Sequence, residues 1–404
     1  MTGTSHMATE IFSQPKLWKE TYEAVLTQKD GIASFLNEAY QTRNIQILLV
    51  GAGSSAFVGE ILQYSFQKHT GLPVKAVPTT DLVTHPKNFF QPQVPIVLVS
   101  FARSGDSPES LAAVELAESL NENVYHLVIS CNPTGNLVKK VSAYKKSFTI
   151  LLPAANDQAL AMTSSFTCMT LAGLLVADIT RIEANGAHVR QLIALGKNIL
   201  KQHDIELDGV AKLDFNRIVF LGSGPLKGAA RESHLKVTEL TDGHVVCQYD
   251  SFLGFRHGPK AIIDESTLLI YLFSNDPYVC QYEADLVRSI NQTDDFAYSI
   301  GIGQNAELHA ELDLDLRIYP GNGDGYPGIQ DGYPGIGDGY PRIRDGYPGI
   351  RDGGIPDDFF AICGVIPAQI LGYYKSMALG LTPDSPSKNG GIHRIVQGVN
   401  IYPY

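Results

Sequence analysis

Residues 45–56, IQILLVGAGSSA, contain the pattern that decides the fold. A short, mostly apolar run at 45–50 leads into a Gly-x-Gly turn, and helical spacing of apolar residues begins at Ser54. Similar runs follow at 95–100, 124–130 and 148–152, separated by segments with helical spacing at 54–69, 106–120 and 156–178. Apolar strands that alternate with helices are typical of a parallel sheet covered on both faces. We therefore predict an α/β domain over residues 41–182.

The same pattern starts again in the second half of the chain. Strand-like runs lie at 217–221, 245–249, 267–273 and 296–302, and helix-like segments at 225–241, 278–291 and 357–381. The first of these strands again ends in a Gly-x-Gly turn, at 222–224. We predict a second α/β domain over residues 211–381, and an ancient duplication as the origin of the pair.

Three segments lie outside the two predicted domains. Residues 1–40 are predicted to form a polar lead-in followed by a helix, 183–210 a linking helix, and 382–404 an extended tail. Residues 2–6 precede a second methionine and are typical of an upstream start or a cloning remnant, so they are left out of the fold prediction.

The composition is that of a globular protein with an acidic balance. Apolar residues make up 44% and charged residues 18%, and 31 Lys and Arg face 42 Asp and Glu, for a net charge of −11. No basic cluster offsets this charge, which argues against a nucleic-acid-binding surface. No apolar run is long enough to span a membrane, and a signal-peptide layout is absent. The five cysteines are scattered and never form C-x-x-C, so we expect a reducing, cytoplasmic location.

A seven-residue repeat, D-G-Y-P-x-I-x, fills residues 321–356. Glycine and proline in every copy exclude a coiled coil. Calcium binding through the Asp-Gly pairs is an alternative, but the glutamate that closes an EF-hand loop is missing. We favour a surface loop of successive turns that interrupts the second domain.

The first candidate site is the Gly-x-Gly turn at 51–53 with the two hydroxyls that follow it. Glycine lets the backbone approach a ligand, and a helix N-terminus offers free N–H groups to an anion. A dinucleotide is one ligand for such a turn, but the acidic residue it requires, Asp81, is further along than usual. Ser54 and Ser55 suit a phosphate monoester better.

The second candidate site follows the next predicted strand and reads A-R-S-G-D-S-P-E. A well-capped helix start explains Ser107 and the two residues after it. It does not explain Arg103 and Ser104. A cation, hydroxyls and helix N–H groups together form a phosphate cradle, which we favour over capping alone. Thr163 and Ser164 add hydroxyls near another predicted helix start.

Charged side chains in the second half form a third group of candidates. Glu232, Lys236 and Glu239 are spaced by four and three, so they share one helical face. A solvated face with an ion pair is the alternative for such a trio. His257 lies between Arg and Gly in the loop F-R-H-G-P, where it either takes part in chemistry or bonds to the backbone.

These motifs together resemble the sugar isomerase (SIS) fold, a three-layer α/β/α sandwich of flavodoxin or Rossmann type, present here as two tandem domains. The segment E-S-H-L-K-V-T-E, followed by F-R-H-G-P, is similar to the isomerase half of glucosamine-6-phosphate synthase. The ending L-T-P-D-S-P-S…R-I-V-Q-G-V-N-I-Y-P is similar to AgaS-type galactosamine-6-phosphate deaminase/isomerases, also called tagatose-6-phosphate ketose/aldose isomerases. The resemblance covers nearly the whole chain outside the repeat.

The resemblance implies a role for each matching residue. It places the sugar phosphate at Ser55, Ser104 and Ser107. It makes Glu239 the base that moves a proton between C1 and C2. It makes His257 the acid/base that opens the sugar ring, supplied by a neighbouring subunit.

The resemblance also implies supporting residues and shows two departures. Glu232 and Lys236 match residues that line the synthase site. Ala102 stands where the synthase turn has another serine, with Arg103 beside it as a substitute. Gln397 stands where the synthase has the tail lysine proposed to form a Schiff base, which puts ring opening through an enzyme imine in doubt here.

The implied activity is conversion of galactosamine 6-phosphate to tagatose 6-phosphate and ammonia. Moving a carbonyl from C1 to C2 needs an open chain, a carboxylate and a group that polarises the oxygens, so no metal or redox cofactor is expected. The expected partners are a phosphorylated amino sugar and further copies of this chain, without nucleic acid or membrane. The alternatives are a plain ketose/aldose isomerase, a non-catalytic sugar-phosphate sensor and, least supported, a nicotinamide oxidoreductase.

Overall fold

A computed structural model of the chain describes residues 5–307, 310–319, 354–396 and 398–404. In these residues two five-stranded sheets are present, and all neighbouring strands run parallel. The chain therefore has the predicted α/β architecture with two sheets in tandem. The repeat predicted at 321–356 lies outside the described residues except for its last three positions.

The first sheet has the strand order β2-β1-β3-β4-β5. Its strands are β1 (Gln46–Gly51), β2 (Val74–Pro78), β3 (Ile96–Ala102), β4 (Val124–Ser130) and β5 (Ser147–Leu151). Val50 pairs with Ser100, so β1 and β3 end side by side. The strand order reverses direction between these two strands, which is where parallel sheets open a crevice for ligands.

Helices cover both faces of this sheet because its central strands are apolar on both sides. The helices of the first half are α1 (His6–Thr27), α2 (Lys29–Tyr40), α3 (Ser54–Thr70), α4 (Thr79–Thr84), α5 (Pro108–Leu120), α6 (Asn136–Val141), α7 (Ser164–Ala177), α8 (Ile182–Gln202) and α9 (Asp204–Ala211). All residues of α7 are buried, since it lies among α1, α3 and α13 (Asp357–Gly364).

The second sheet repeats the first, with the order β10-β9-β8-β6-β7. Its strands are β6 (Arg217–Gly222), β7 (Val246–Asp250), β8 (Thr267–Leu272), β9 (Tyr298–Ile302) and β10 (Leu316–Ile318). The remaining helices are α10 (Pro225–Leu240), α11 (Phe252–Phe255), α12 (Pro277–Thr293), α13 and α14 (Ile366–Ala378). Read from β7, this order matches that of the first sheet strand for strand.

The two domains meet through equivalent helices, α3 and α10. Each of these helices follows the first strand of its own sheet. Arg231 of α10 forms an ion pair with Glu60 of α3, and its guanidinium lies 4.4 Å from the ring centre of Phe57. The contact places the face of α10 that carries Glu232 against the first domain.

Several element boundaries differ from the predictions. The predicted helix at 156–178 begins only at Ser164, because the side chain of Asp157 turns back onto the start of α7. The predicted helix at 357–381 is two helices, since Pro367 lacks the N–H that a continuous helix would need. The predicted linking helix at 183–210 is α8 followed by α9, and the lead-in is two helices rather than one.

The N-terminus is joined to the C-terminal tail by one carboxylate. Asp384 accepts hydrogen bonds from the hydroxyl of Ser5 at 2.7 Å and from the backbone N–H groups of His6 and Met7. Leu160 donates its N–H to the Asp384 carbonyl. Ser5 and His6, which were left out of the fold prediction, therefore belong to the start of α1.

Within the described residues, no single helix is both long and apolar enough to cross a membrane. One pair of helical segments meets that test only when taken together across a bend of 91°, Ser164–Ala177 with Ile179–Gln202.

Candidate functional site

A cavity of about 400 Å³ opens at the carboxyl edge of the first sheet. The turns after β1 and β3, the end of α10 and a segment of the C-terminal tail form its wall. Five hydroxyl-bearing or acidic side chains predicted from the sequence line it: Ser54, Ser55, Ser104, Ser107 and Glu239. Residues from both domains and the tail thus meet at the crevice where parallel sheets bind ligands.

The turn after β1 requires glycine. Gly53 has φ 55° and ψ −131°, a backbone conformation that other residues rarely adopt. Gly224, at the equivalent place in the second domain, has φ 55° and ψ −127°. The turn sets Ser54 and Ser55 in the first turn of α3, where helix N–H groups favour an anion.

The turn after β3 is braced from the neighbouring loop. The Asn132 side chain donates to the Ser104 carbonyl at 2.8 Å, and the Leu137 N–H donates to the Gly105 carbonyl at 2.8 Å. Ser107 occupies the predicted N-cap position of α5, but its hydroxyl makes no capping hydrogen bond within the described chain. That hydroxyl is left to face the cavity.

Arg103 lines the cavity, but its guanidinium is tied to the protein. It donates to the carbonyl oxygens of Ala159, Leu160 and Arg394. Burial lowers the pKa of Arg103, while the carboxylate of Asp157 opposes the shift. The side chain binds the turn to the tail, and its predicted contact with a phosphate stays a prediction.

The three charged residues of α10 form a connected chain. Lys236 donates to Glu239 at 2.5 Å and lies 3.4 Å from Glu232. Glu232 accepts a hydrogen bond from the hydroxyl of Ser54 at 3.1 Å. The side chains of Glu232 and Lys236 are 0% and 1% exposed, whereas that of Glu239 is 23% exposed. Only Glu239 reaches the cavity; the other two lie beneath it.

Burial has the largest single effect on the pKa values of Glu232 and Lys236. It raises the pKa of Glu232 to about 7, although the charge of Lys236 opposes the shift. Burial also disfavours the charge of Lys236, but attraction by Glu232 and Glu239 outweighs it and raises the pKa of this lysine. The lysine therefore stays charged beside Glu239.

Thr163 and Ser164 are buried at the start of α7 and do not line the cavity. The Ser164 hydroxyl donates to Asp157, and the Thr163 N–H donates to the same carboxylate at 2.8 Å. Asp157 thus holds the helix start in place, and the sequence analysis did not single it out. The predicted role of these two hydroxyls in ligand binding stays a prediction.

The tail supplies part of the wall that the sequence analysis did not assign. Residues 391–394 and 396 border the cavity, and they include His393. Arg394 donates from Nε to the Asp157 carbonyl at 2.8 Å and from Nη2 to the Asn156 side chain. Apart from the tail motif, nothing in the sequence indicated that these residues lie at the cavity, because periodicity does not reveal contacts between segments that are distant in sequence.

His257 is exposed and does not line the cavity. It lies just after α11, beside the exposed Leu253. Within one chain, the structure therefore does not bring the two predicted catalytic residues, Glu239 and His257, together. Ala102 does line the cavity, and Gln397 lies outside the described residues.

In the second domain, the turn after β8 corresponds to the turn after β3. Acidic side chains of the chain itself occupy its hydrogen-bond donors. Asp357 accepts hydrogen bonds from the Ser274 hydroxyl and from the Asn275 N–H at 2.9 Å. Glu283 accepts the Ser274 N–H at 2.9 Å, and Asp276 caps α12. The Ser274 and Asn275 donors of this turn are therefore already engaged by the chain's own acidic side chains.

Comparison with known proteins identifies the family of this chain. Residues 40–178 match the SIS domain family. An AgaS protein of Streptomyces coelicolor is 39% identical over 400 residues, covering 98% of this chain and 95% of that protein. The chain belongs to the AgaS family of SIS-domain proteins.

Two further relatives of this AgaS-family chain carry specific names. The D-galactosamine-6-phosphate deaminase AgaS of a Shewanella species is 35% identical over 406 residues, covering 100% of this chain and 93% of its own length. The crystal structure of tagatose-6-phosphate ketose/aldose isomerase from Escherichia coli is 35% identical, with a TM-score of 0.83, covering 99% of this chain and 97% of that one.

Proposed function

We propose that this AgaS-family protein is an amino-sugar-phosphate deaminase/isomerase, which converts galactosamine 6-phosphate and water to tagatose 6-phosphate and ammonia. The observation that carries the proposal is the position of Glu239, a partly exposed carboxylate that faces two hydroxyl-rich turns across one cavity. The names of the relatives supply the choice of sugar.

The phosphate is proposed to bind at the two turns. Ser54 and Ser55 start α3, and Ser104 and Ser107 precede α5, so two helix N-termini converge with the hydroxyls of Ser55, Ser104 and Ser107. The Ser54 hydroxyl already donates to Glu232, so Ser54 is proposed to contribute through its place at the helix N-terminus. Such donors favour a dianion. Anchoring the phosphate at the far end of the sugar supplies binding energy remote from the reacting carbons and holds the open chain in place.

Glu239 is proposed to carry the proton. In the open-chain amino aldehyde it removes the proton from C2 and returns it to C1. The C1 oxygen gains a proton and the amino nitrogen loses one, so C1 becomes a hydroxymethyl group and C2 a ketimine. Water adds to that carbon and ammonia leaves, giving the ketose. With a hydroxyl at C2 the same transfer gives a plain isomerisation, the alternative reading that the name of the E. coli structure favours.

Lys236 is proposed to position and polarise the Glu239 carboxylate. Its ammonium is buried and donates to Glu239. It stays charged because attraction by Glu232 and Glu239 raises the pKa of this lysine. This fixed charge holds the base in one orientation toward the cavity. Glu232 and Lys236 support the reaction from behind the wall rather than by touching the sugar.

Further copies of the chain are proposed as partners, in a homodimer or larger homo-oligomer. His257 lies just after α11, whose Leu253 is half-exposed, and this surface suits a contact through which a second copy could receive the histidine. Sedimentation should give a mass of at least twice the 43.9 kDa of one chain. The five unpaired cysteines suit the cytoplasmic location that we propose.

Ammonia release tests the proposed function. Wild type, Glu239→Gln and a control, Glu122→Gln, are each given galactosamine 6-phosphate and, separately, glucosamine 6-phosphate. Glu122 is exposed at the opposite edge of the first sheet, before β4. We expect ammonia from the galacto sugar with wild type and control. Turnover should fall at least about 10³-fold in Glu239→Gln, while the dissociation constant of the sugar changes less than about threefold.

Other outcomes assign other functions. Isomerisation of tagatose 6-phosphate without ammonia from either amino sugar would make the protein a plain isomerase. Binding of the sugar with no turnover of any substrate would make it a sensor. Loss of both binding and turnover in Glu239→Gln would show that this glutamate is structural.

A further inference from the structure

Glu232 lies between the proposed phosphate site and the proposed base. Its side chain is 0% exposed, where α10 packs against α3. Its Oε1 accepts the hydroxyl of Ser54 at 3.1 Å and lies 3.4 Å from the ammonium of Lys236. Its Oε2 is buried and has no hydrogen-bond partner among the described residues. A buried oxygen without a partner destabilises the charged form, so folding alone does not explain this carboxylate.

The ammonium of Lys236 depends on two carboxylates for its charge. Its side chain is 1% exposed, and it donates to Glu239 at 2.5 Å in addition to its contact with Glu232. Arg103 also acts on it, but as a cation it disfavours the ammonium. Within the described part of the chain, the two glutamates are therefore the counter-charges that keep a buried cation stable.

The charge of Glu232 is set by the same contacts. Besides burial, Lys236, Glu239 and Ser54 are the groups that act on it most. Charged side chains on the other elements packed against α10 have partners of their own: Glu60, Asp357, Asp358, Lys375, Arg217 and Asp250. Glu232 therefore responds to Lys236 and Glu239.

The proposed proton transfer changes the surroundings of Lys236. In the resting site Glu239 is a carboxylate and neutralises the ammonium. Once Glu239 has taken the proton from C2 it is neutral, and Glu232 is then the one carboxylate within ion-pair distance of Lys236 in the described residues. A buried ammonium without a counter-charge is strongly destabilised, so the intermediate needs the charge of Glu232 more than the resting site does.

We propose that Glu232 is a positioning residue that carries the counter-charge of Lys236 while Glu239 holds the substrate proton. The inference rests on the proposed function, because it concerns the intermediate of that reaction. Glu232 acts through Lys236 and does not touch the sugar. No bond to Glu232 forms or breaks; the proton on Glu239 passes on to C1, after which Glu239 again neutralises the lysine. Loss of the Glu232 charge should therefore lower kcat rather than weaken binding.

The ionisation of Glu232 adds a pH dependence to this role. Burial raises the pKa of Glu232 to about 7; the charge of Lys236 opposes the shift and that of Glu239 adds to it. Below this value Glu232 is neutral and supplies no counter-charge, so kcat should rise with pH through about 7 and level off above it. When Glu239 becomes neutral, one cause of the raised pKa disappears, and Glu232 holds its charge more firmly.

The pH profile of Glu232→Gln tests this role. The amide keeps an acceptor for the Ser54 hydroxyl but cannot be charged. With galactosamine 6-phosphate at about pH 8, we expect kcat to fall by about 10- to 10³-fold and KM to change less than about threefold. The rise of kcat through about pH 7 should disappear, and variant and wild type should converge in acid, where Glu232 of the wild type is also neutral. Glu122→Gln, an exposed control, should keep the wild-type profile.

A double-mutant cycle separates this role from a structural one. Lys236→Met removes the ammonium and with it the need for a counter-charge. In that background Glu232→Gln should change kcat less than about threefold, against at least about tenfold in the wild type. Equal losses in both backgrounds would overturn the proposal, as would a wild-type kcat and pH profile in Glu232→Gln.

A conservative variant covers the case in which Lys236→Met does not fold. Glu232→Asp keeps a carboxylate at this position, so kcat should still rise with pH and exceed that of Glu232→Gln at about pH 8. A folded Glu232→Asp, judged by its thermal midpoint, whose kcat matches that of Glu232→Gln at every pH would contradict the proposal.

Failure of the proposed function gives a different result. If wild type releases no ammonia but isomerises tagatose 6-phosphate, the same variants are measured on that sugar, since Glu239 becomes neutral in that reaction too. If wild type turns over neither sugar, the proposed function and this inference both fall. Ammonia from wild type with an unchanged kcat and pH profile in Glu232→Gln removes the inference alone.

Discussion

At the residue scale, the three charged side chains of α10 differ chiefly in their access to water. Glu232 and Lys236 face the interface with α3, one helical turn apart, and are fully buried. Glu239 is three residues further on, at the end of the helix, where the cavity begins. A regular helix thus carries a charged pair into the protein and leaves one carboxylate at the surface of the site.

Glu283 provides a prediction that is independent of catalysis. Its carboxylate is fully buried, and burial raises its pKa to about 8, with the nearby Asp357 and Asp276 adding to the shift. The native state therefore holds a proton that the unfolded state releases above pH 4.5, the ordinary pKa. Glu283 lowers the free energy of unfolding as the pH rises between these two values, by at most about 1.4 kcal/mol per pH unit.

Glu283→Gln should remove this dependence. The amide oxygen can still accept the Ser274 N–H, and the side chain stays neutral. Urea unfolding of variant and wild type from about pH 5 to about pH 9 should show the stability difference moving in favour of the variant as the pH rises. A difference that stays constant over this range would show that Glu283 does not titrate there.

The sequence predicted those residues of the site that lie in short motifs of recognisable chemistry. Ser54, Ser55, Ser104 and Ser107 lie in or directly after glycine-containing turns at strand ends, and the structure brings all four to one cavity together with Glu239. Asp157 and His393 gave no such signal, since their positions depend on how a loop and the tail fold back. Thr163 and Ser164 carry suitable hydroxyls but face the core, which depends on packing rather than on motif.

At the element scale, the sequence predicted eight of the ten strands in the described residues and missed two edge strands, β2 and β10. The central strands β3 and β4 are buried over their whole length and read as continuous apolar runs. The edge strand β2 is short and only partly buried, and it includes the lysine Lys75; β10 has three residues. β2 therefore lacks a continuous apolar run, and β10 is too short to show a hydrophobic pattern.

Asp384 is predicted to stabilise the start of α1. Three donors at this helix end share its carboxylate. Burial raises the pKa of Asp384, but hydrogen bonds from Met7, Ser5 and His6 outweigh it, so the pKa lies below its ordinary 3.8. Asp384→Ala should lower the free energy of unfolding by about 1 kcal/mol at neutral pH, as loss of a helix cap does.

The sign of the pH dependence checks this assignment. Because the folded pKa is depressed, the stabilisation by Asp384 is present above pH 3.8 and is lost as the pH falls through the folded pKa. Urea midpoints of variant and wild type should differ at neutral pH and converge in acid. Asp81→Ala, an exposed aspartate in the first turn of α4, should change the midpoint little. An equal effect of both substitutions would contradict the special role of Asp384.

At the scale of the whole molecule, the cavity depends on both domains. The first domain supplies the two turns, α10 of the second domain supplies Glu239, and the tail closes the wall. The repeated strand–turn–helix pattern predicted two domains of one fold. It did not predict that the donors of the turn after β8 would be engaged by Asp357 and Glu283, because that depends on side chains that meet across the fold.

The number of ligands bound per chain follows from this difference. The first domain has an open cradle, and the equivalent donors of the second are used by Asp357 and Glu283. Calorimetric titration of Glu239→Gln with galactosamine 6-phosphate should therefore give one site per chain. Two sites per chain would show that a ligand displaces the internal carboxylates.

The turn after β8, whose donors are engaged by Asp357 and Glu283, leads to an expectation about sequence variation among relatives. Under the duplication predicted from the sequence, we expect one copy of the turn to remain under selection for an anion and the other to come under selection for folding alone. Across relatives, Ser104 and Ser107 should be retained wherever the activity is retained. Ser274 and Asp357 should instead change together, because each is the other's hydrogen-bond partner and neither answers to a substrate. The two halves of one gene would then record separate histories since their common origin.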